Sequence, residues 1–193
     1  MSEQASDARI EKARRGDARA FEALLAEHAE RVYAHVARIL GAGPEAEDVV
    51  QDACISAWRS IASFEGTSFR AWLFRIATNR AIDVVRARRR RGELPLEPNE
   101  DEEQTWVEPV AGGPELADLA ADREALRHVE AALARLPAEQ RAVVILRDIE
   151  GFDYEEIARI TATELGTVKS RIHRGPLAVR NALVAQGWRG SSG

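Results

Sequence analysis

A stretch rich in proline, glycine and acidic residues divides this 193-residue chain into two parts. Residues 92–115 contain four prolines, the acidic run 100–103 and the adjacent glycines Gly112 and Gly113. Such a composition cannot bury enough apolar surface to order itself. We therefore expect a flexible acidic linker that joins two small domains.

On both sides of this linker, apolar residues recur at three- and four-residue steps, which is the period of an amphipathic helix. No stretch alternates with period two over a useful length. Before the linker we predict three helices, which run from the capping residue Asp17 to Leu40, from Pro44 to about Ile61, and from Phe69 into an arginine run. The fold class is therefore predicted to be all-α.

After the linker, the same pattern predicts four more helices. Pro137 separates the first two, Gly151 ends the second, and Asp153 can cap the third. The helices are predicted at residues 116–136, 137–149, 154–160 and 164–174, the last continuing toward Val184 with a kink at Pro176.

The composition argues against several classes of protein. No apolar run approaches the roughly 18 residues that a membrane span needs, and residues 1–7 are polar rather than a signal segment. We expect a cytoplasmic protein without membrane insertion. A single cysteine, Cys54, cannot form an internal disulfide, and the four histidines lack zinc-ligand spacing. We expect no metal, no cofactor and no enzymatic activity, because no nucleophile or carboxylate pair is placed for catalysis.

The net charge of -5 hides a strong asymmetry along the chain. Residues 70–91 carry eight arginines and one acid, whereas residues 92–118 carry nine acids and no lysine or arginine. From residue 164 to the end there are five bases and one acid. Two basic stretches therefore flank an acidic one, and each is a candidate nucleic-acid contact.

The C-terminal basic stretch has the pattern of a helix-turn-helix. Ile157, Ala158 and Ile160 are predicted to pack inward from the first helix, and Val168 and Ile172 from the second. Polar and basic side chains that can contact DNA occupy the other faces of the second helix: Thr167, Lys169, Ser170, Arg171, His173 and Arg174. The pattern alone leaves open that these charges only solvate an amphipathic helix.

Aromatic and basic residues are interleaved in the helix that starts at Phe69. Rings can receive unstacked bases while arginines hold the phosphates of a single strand. The apolar stripe consists of Phe69, Trp72, Leu73, Ile76 and Ala77, with arginines on the other faces. For Phe69 and Trp72 the alternative, core packing in a three-helix domain, is favoured over base stacking.

The helix from Pro44 to Ile61 has large apolar side chains outside its buried face. The predicted buried face comprises Val50, Ala53, Cys54, Ala57 and Ile61, whereas Ile55 and Trp58 fall beside Asp48, Gln51 and Asp52. Large apolar groups ringed by polar ones suggest a partner surface. The alternative is that Trp58 closes the domain core and the acids are solvated.

Three segments resemble the extracytoplasmic-function sigma factors, a family that takes RNA polymerase to promoters. The sequences DIEGFDYEEIA (148–158) and GTVKSRIHR (166–174) resemble the region of that family that binds the minus-thirty-five element. The sequence SFRAWLFRIATNRAID (68–83) resembles the region that melts and recognises the minus-ten element. The sequence AEDVVQD (46–52) resembles the segment that docks on the polymerase clamp helices.

The resemblance implies an alternative sigma factor that binds core RNA polymerase and promoter DNA, answers a stress or envelope signal, and is controlled by an anti-sigma factor. The domains implied are a sigma region 2 helical bundle (17–91) and a sigma region 4 helix-turn-helix domain (116–186). The linker (92–115), an N-terminal segment (1–16) and a C-terminal tail (187–193) complete the chain.

The resemblance also implies a set of contacts. Minus-thirty-five contacts are Thr167, Lys169, Ser170, Arg171, His173 and Arg174. Minus-ten contacts are Phe64, Ser68, Arg70, Arg75, Asn79, Arg80, Asp83 and Arg86. Polymerase contacts are Asp48, Gln51, Asp52, Ile55 and Trp58. Asp83 has an alternative role, which is to orient a neighbouring arginine.

The sequence departs from the family at two places. Thr161 and Ala162 stand where the family usually has Leu-Gly, so we expect a reshaped turn. Pro176 falls where family members commonly continue a basic helix. Two alternative functions remain open at this point: a stand-alone helix-turn-helix regulator, and a sigma-like protein that titrates an anti-sigma factor.

Overall fold

A computed structural model of the chain describes residues 2–66, 68–93 and 123–185. Within these ranges the backbone forms nine α-helices and no strand, which confirms the predicted all-α class. The chain divides into two compact units, Met1–Val84 and Val85–Gly193. The predicted linker beyond residue 93 and the predicted tail lie outside the described residues.

The helices of the first unit begin at the residues that favour helix starts. Asp17 accepts a hydrogen bond from the Ala20 amide at 3.1 Å, and Pro44 occupies the first turn of its helix. The helices are α1 (Ser2–Arg14), α2 (Ala18–Ala26), α3 (Ala29–Leu40), α4 (Pro44–Ser60) and α5 (Phe69–Arg90), of which the residues up to Val84 belong to this unit, with a 3₁₀ turn at Ile61–Ser63.

Two features of the first unit differ from the sequence-based expectation. The single helix predicted from Asp17 to Leu40 is wrong, because the chain bends at His28 and forms two helices. The three- and four-residue apolar steps continue across this bend, so the periodicity could not reveal it. In addition, α1 forms where no helix was predicted, and its Ile10 and Ala13 are buried.

The core of the first unit contains a buried polar pair and a group of rings beside its aliphatic residues. The His35 Nε2 atom lies 2.8 Å from the Thr78 hydroxyl, and the imidazole packs against the Phe74 ring. Burial lowers the pKa of His35 to about 3, so the ring is neutral at physiological pH. In the same unit, aromatic side chains from four segments meet edge to face or tilted: Phe21, Trp58, Phe64, Phe69 and Trp72.

The second unit contains four helices within the described residues. They are α6 (Arg123–Leu133), α7 (Ala138–Val144), α8 (Tyr154–Thr161) and α9 (Leu165–Ala185), and a π turn at Ile145–Ile149 extends α7. The helix predicted at 137–149 is thus present as two consecutive helical segments, with Pro137 as the residue before it. The predicted start of the helix at 116–136 lies outside the described residues, and the kink at Pro176 stays a prediction.

Helix α7 packs closely against α9 and is hydrogen-bonded to the residues that follow α6. Gly175 of α9 is buried against Val144 of α7, and a Cβ at Gly175 would overlap the Val144 Cγ2 atom. Arg141 donates from Nη2 to the carbonyl oxygens of Ala134 and Leu136 at 2.6 and 2.9 Å. These carbonyls follow the end of α6, so Arg141 caps that helix from α7.

Candidate nucleic-acid interface

The turn between α8 and α9 has a defined backbone. Asp153 and Glu156 form a capping box at the start of α8, with hydrogen bonds of 2.7 and 3.0 Å. At the other end, Ala162 takes the left-handed conformation, with φ 51° and ψ 43°. The Thr163 amide donates to the Ala158 carbonyl at 3.0 Å, which completes a Schellman motif.

Ala162 therefore occupies the position that glycine favours, and it is the only non-glycine residue with positive φ in the described part of the chain. The Thr161 hydroxyl donates to the Ile157 carbonyl at 2.8 Å, so this departure from leucine is absorbed within α8. The expected reshaping of the turn is not observed. Helix α9 begins at Leu165, three residues after Ala162.

The two helices meet through buried apolar residues. Ile157 and Ile160 of α8 and Val168 of α9 are buried, whereas Ala158 and Ile172 are half-buried. The predicted contact residues lie outside this seam. Lys169, His173 and Arg174 are exposed, and Thr167, Ser170 and Arg171 are half-buried. The outer face of α9 thus carries both cationic groups and hydroxyls that can donate to DNA.

Helix α5 separates an apolar face from a basic one. Phe69, Leu73 and Ala77 are buried, which favours core packing over base stacking for Phe69, while Trp72 and Ile76 are half-buried. On the other faces the side chains reach solvent to different degrees. Arg75, Asp83 and Arg86 are exposed, whereas Arg70, Asn79 and Arg80 are half-buried.

Three of the predicted minus-ten residues have packing or capping contacts of their own. Phe64 is 4% exposed, and its ring centroid lies 5.0 Å from that of Trp72. The Ser68 hydroxyl accepts a hydrogen bond from the Ala71 amide at 3.1 Å and so caps α5. The Arg70 guanidinium lies 5.5 Å from the centroid of the Phe74 ring, within cation–π range. These contacts position the start of α5.

Helix α5 ends where the arginine run meets the acidic segment. Gly92, with φ +74°, ends the helix in a second Schellman motif, in which the Glu93 amide donates to the Arg88 carbonyl at 3.1 Å. Arg91 donates to both carboxylate oxygens of Glu93, at 2.5 and 3.1 Å. This hydrogen bonding holds the pKa of the Glu93 carboxyl below its usual value. The first acid of the acidic segment therefore folds back onto the arginine run.

Helix α4 exposes the apolar residues that the sequence placed outside its buried face. Ile55 and Trp58 are 41% and 38% exposed, and they are the exposed large apolar residues of the described chain. Asp48, Gln51 and Asp52 are also exposed. The Trp58 ring also contacts the Phe21 ring at 5.1 Å, so one side of the indole serves the core while the other faces solvent.

Sequence reasoning missed a contact between a residue predicted to bind DNA, Arg80, and one predicted to bind polymerase, Asp52. Arg80 of α5 donates to Asp52 and Ser56 of α4, at 3.1 and 2.7 Å. No local pattern links residue 80 to residues 52 and 56, because the pairing depends on how the two helices pack. The closest available signal was the i, i+4 spacing of Asp52 and Ser56 on one face of α4.

The described residues hold no group of three or more histidine, cysteine or acidic side chains that could bind a metal ion. Cys54 is half-buried, and burial raises the pKa of its thiol. In the part of the chain that the structure describes, no helix is both long and apolar enough to cross a membrane.

Comparison with known proteins identifies the two units. Residues 24–91 match the Sigma-70 region 2 family, and residues 126–175 match the Sigma-70, region 4 family. Over 191 residues the chain is 35% identical to the ECF RNA polymerase sigma-E factor of Escherichia coli, covering 95% of this chain and 97% of that protein. It is 39% identical over 164 residues to the ECF RNA polymerase sigma factor SigE of Mycolicibacterium smegmatis, covering 84% of this chain and 61% of that protein.

A solved structure supports the same assignment. The structure of the sigma factor RpoE from Bartonella quintana, determined in complex with the anti-sigma factor NepR, is similar with a TM-score of 0.64 and 31% identity. The similarity covers 84% of this chain and 96% of that chain. The chain therefore belongs to the extracytoplasmic-function family of RNA polymerase sigma factors, and it is an alternative sigma factor that initiates transcription.

Proposed function

We propose that the two units divide promoter recognition between helices α5 and α9, while α4 docks on core RNA polymerase. In this proposal the domain at residues 17–91 contacts the minus-ten element and the domain at 116–186 contacts the minus-thirty-five element. The linker at 92–115 spans the distance between them on the polymerase. The protein acts in the cytoplasm and carries out no catalysis of its own; the polymerase supplies the chemistry.

The outer face of α9 carries the upstream half of the proposal. Its exposed Lys169, His173 and Arg174 project from a helix whose entry is set by the Schellman turn at Ala162. Lysine and arginine can pair with guanine edges or phosphates, and the half-buried Thr167 and Ser170 can add shorter hydrogen bonds that fix the register. Arg171 completes this set of predicted contacts.

The solvent-facing side of α5 carries the downstream half. Arg75, Asn79 and Asp83 lie at four-residue steps and so share one face of the helix. Arg80 and Arg86 add positive charge beside that face. Phe64 and Ser68 remain in the proposed minus-ten set; Phe64 packs in the aromatic group and Ser68 caps α5, and both contacts fix the start of this helix.

The exposed apolar pair on α4 supports the polymerase contact. Ile55 and Trp58 combine apolar area with the neighbouring Asp48, Gln51 and Asp52, which is the anatomy of a protein interface with an apolar centre and a polar rim. We expect Trp58→Ala to weaken binding to core polymerase more than Asp48→Asn does, because aromatic residues dominate such interfaces. Titration of labelled chain with core polymerase measures this difference.

The solved complex of RpoE with NepR makes an anti-sigma factor the second proposed partner. We propose that such a partner responds to a stress or envelope signal and competes with polymerase for the chain. A purified candidate partner that blocks both polymerase binding and transcription supports this part of the proposal. A candidate that binds the chain and leaves transcription unchanged contradicts it.

The proposed DNA contacts of α9 and α5 are tested on a promoter from which core polymerase transcribes only when the chain is present. Arg174→Ala is compared with Arg135→Ala, an exposed arginine of the same unit that lies outside the proposed interface. We expect Arg174→Ala to lose recognition in the upstream element only. A lost base contact costs about 1–3 kcal/mol at one base-pair position, whereas a lost phosphate contact weakens binding uniformly.

The parallel test for α5 compares Arg75→Ala and Asn79→Ala with Arg19→Ala, an exposed arginine of α2. We expect the two α5 variants to impair opening or recognition at the downstream element and to leave the upstream preference intact. Equal loss from every substitution at every promoter position would instead indicate general misfolding and would contradict the proposed division of roles.

A further inference from the structure

Arg80 joins the two helices that carry the proposed polymerase and DNA contacts of the first unit. From α5, its Nη1 atom donates to Asp52 Oδ2 at 3.1 Å, and its Nη2 atom donates to Ser56 Oγ at 2.7 Å. Asp52 and Ser56 are four residues apart, so they are neighbours on one face of α4. The guanidinium therefore spans one turn of α4 with its two terminal nitrogens.

From this geometry we infer that Asp52 and Ser56 are positioning residues for Arg80, which they hold in place for promoter DNA. The inference rests on the proposed function, in which Arg80 contacts the minus-ten element. A guanidinium carries five N–H donors, and the two bonds to α4 leave three of them available. The side chain of Arg80 is 42% exposed, so the held guanidinium remains accessible to a phosphate or a base.

Holding the guanidinium matters because arginine has a long and flexible side chain. A free arginine loses much of its rotamer freedom when it binds a phosphate, whereas a side chain already held in place loses less. The Ser56 bond adds direction to the ion pair, since the two acceptors fix both the position and the plane of the guanidinium. The α4–α5 packing thereby sets where the positive charge of Arg80 meets the DNA.

This inference gives Asp52 a second role beside direct contact with polymerase, and the two roles predict different behaviour. If Asp52 acts on polymerase, its loss weakens core binding whether or not Arg80 is present. If Asp52 positions Arg80, its loss slows promoter opening only while Arg80 is present. A double-mutant cycle separates these cases.

The experiment uses the 193-residue chain bound to core polymerase. Asp52→Asn, Ser56→Ala, Arg80→Ala and the pairwise combinations with Arg80→Ala are assayed for affinity to core and, at saturating core, for the rate of open-complex formation. We expect each single substitution to slow opening by about 1.4- to fivefold, which is the range that exposed ion pairs contribute. We expect the combinations to be no slower than Arg80→Ala alone.

Two variants sharpen the result. Asp52→Glu keeps the carboxylate and is expected to recover part of the opening rate, which a purely structural role for Asp52 does not predict. Asp48→Asn removes an exposed acid one turn earlier on α4, and its effect is expected to multiply with that of Arg80→Ala.

Three outcomes would overturn the inference. The effects of Asp52→Asn and Arg80→Ala could multiply, or the slower opening of Asp52→Asn could follow a loss of folded protein measured by circular dichroism. In the third outcome, Arg80→Ala leaves opening unchanged, which removes Arg80 from the minus-ten interface. Failure of the proposed function itself looks different, because then even the wild-type chain does not support transcription by core polymerase.

Discussion

The contact between Gly175 and Val144 gives a quantitative prediction for the second unit. In Gly175→Ala the new Cβ would overlap the Val144 Cγ2 atom, so α7 and α9 must move apart. Overpacking of this kind typically costs about 1–3 kcal/mol, while alanine returns up to about 1 kcal/mol of helix propensity. We expect a net loss of about 1–2 kcal/mol in the stability of this unit.

The same helix supplies a matched control. A Cβ at Gly166 would meet no atom within 4 Å, so Gly166→Ala carries the propensity gain without the overlap. Since Gly166 is the second residue of α9 and the full propensity gain applies in a helix interior, we expect Gly166→Ala to stabilise the unit by up to about 0.5 kcal/mol. Amide hydrogen exchange, followed on peptides from α7 and α9, reports the opening free energy of this unit separately from the first.

A second-site substitution tests the cause directly. Val144→Ala removes the Cγ2 atom and leaves its Cβ 3.7 Å from the new Cβ at position 175, which is ordinary van der Waals contact. We therefore expect the double variant to be more stable than the sum of the two single effects by about 1 kcal/mol or more. Additive effects, or equal stability of Gly175→Ala and Gly166→Ala, would refute the reasoning.

Three further predictions concern stability. Ala162→Gly removes the steric cost of an alanine in the left-handed conformation, and we expect it to stabilise the second unit by about 0.5–1 kcal/mol. The control, Ala131→Gly at an exposed position of α6, should destabilise the unit by about the same amount. Hydrogen exchange of α6 and α8 measures both effects. Arg141→Met keeps an apolar stem but loses the bonds to Ala134 and Leu136, so we expect a loss of about 1–2 kcal/mol in urea unfolding. His35 has a pKa of about 3 in the fold against 6.5 when unfolded, so the unfolded chain binds the extra proton. The contribution of neutral His35 to the free energy of unfolding is therefore fully present above pH 6.5. It falls as the pH drops toward 3, and the loss is about 2 kcal/mol at pH 5. His35→Gln should show a shallower loss between pH 7 and 5, and equal slopes would contradict this.

The elements that the sequence predicted well are those fixed by neighbouring residues. Asp17, Pro44 and Asp153 start their helices as expected, because caps and prolines act on the backbone within one turn. The exposure of Ile55 agrees with helical periodicity, whereas for Trp58 the sequence left core packing open, and its ring is both 38% exposed and in contact with Phe21. Each of these features depends on local geometry that can be deduced from spacing.

The features that sequence reasoning missed depend on tertiary packing. The bend at His28 leaves the apolar period unchanged. Helix α1 has only a weakly amphipathic sequence, and its apolar contact depends on Ile10 and Ala13, which are buried in the folded unit. The contacts of Arg80 with Asp52 and of His35 with Thr78 join residues 28 and 43 positions apart. No pattern in the sequence encodes such pairings, because they arise only once the helices have packed.

The left-handed Ala162 shows how a departure from a family pattern can keep its geometry. The substitution of glycine suggested a changed turn, yet the Schellman hydrogen bonds and the packing of Ile160 and Val168 hold the alanine in the conformation of glycine. An L-residue in this region costs about 1–2 kcal/mol, which the surrounding contacts offset. The left-handed turn is therefore kept at some expense of stability.

The most direct test of the central claim is in vitro transcription of total genomic DNA from the source organism by its core polymerase, with and without the chain, followed by mapping of transcript 5′ ends. We predict a set of starts that appears only with the chain and shares two sequence elements, near minus ten and minus thirty-five. The account is contradicted if the chain binds core polymerase and no start depends on it, or if the dependent starts share no upstream element.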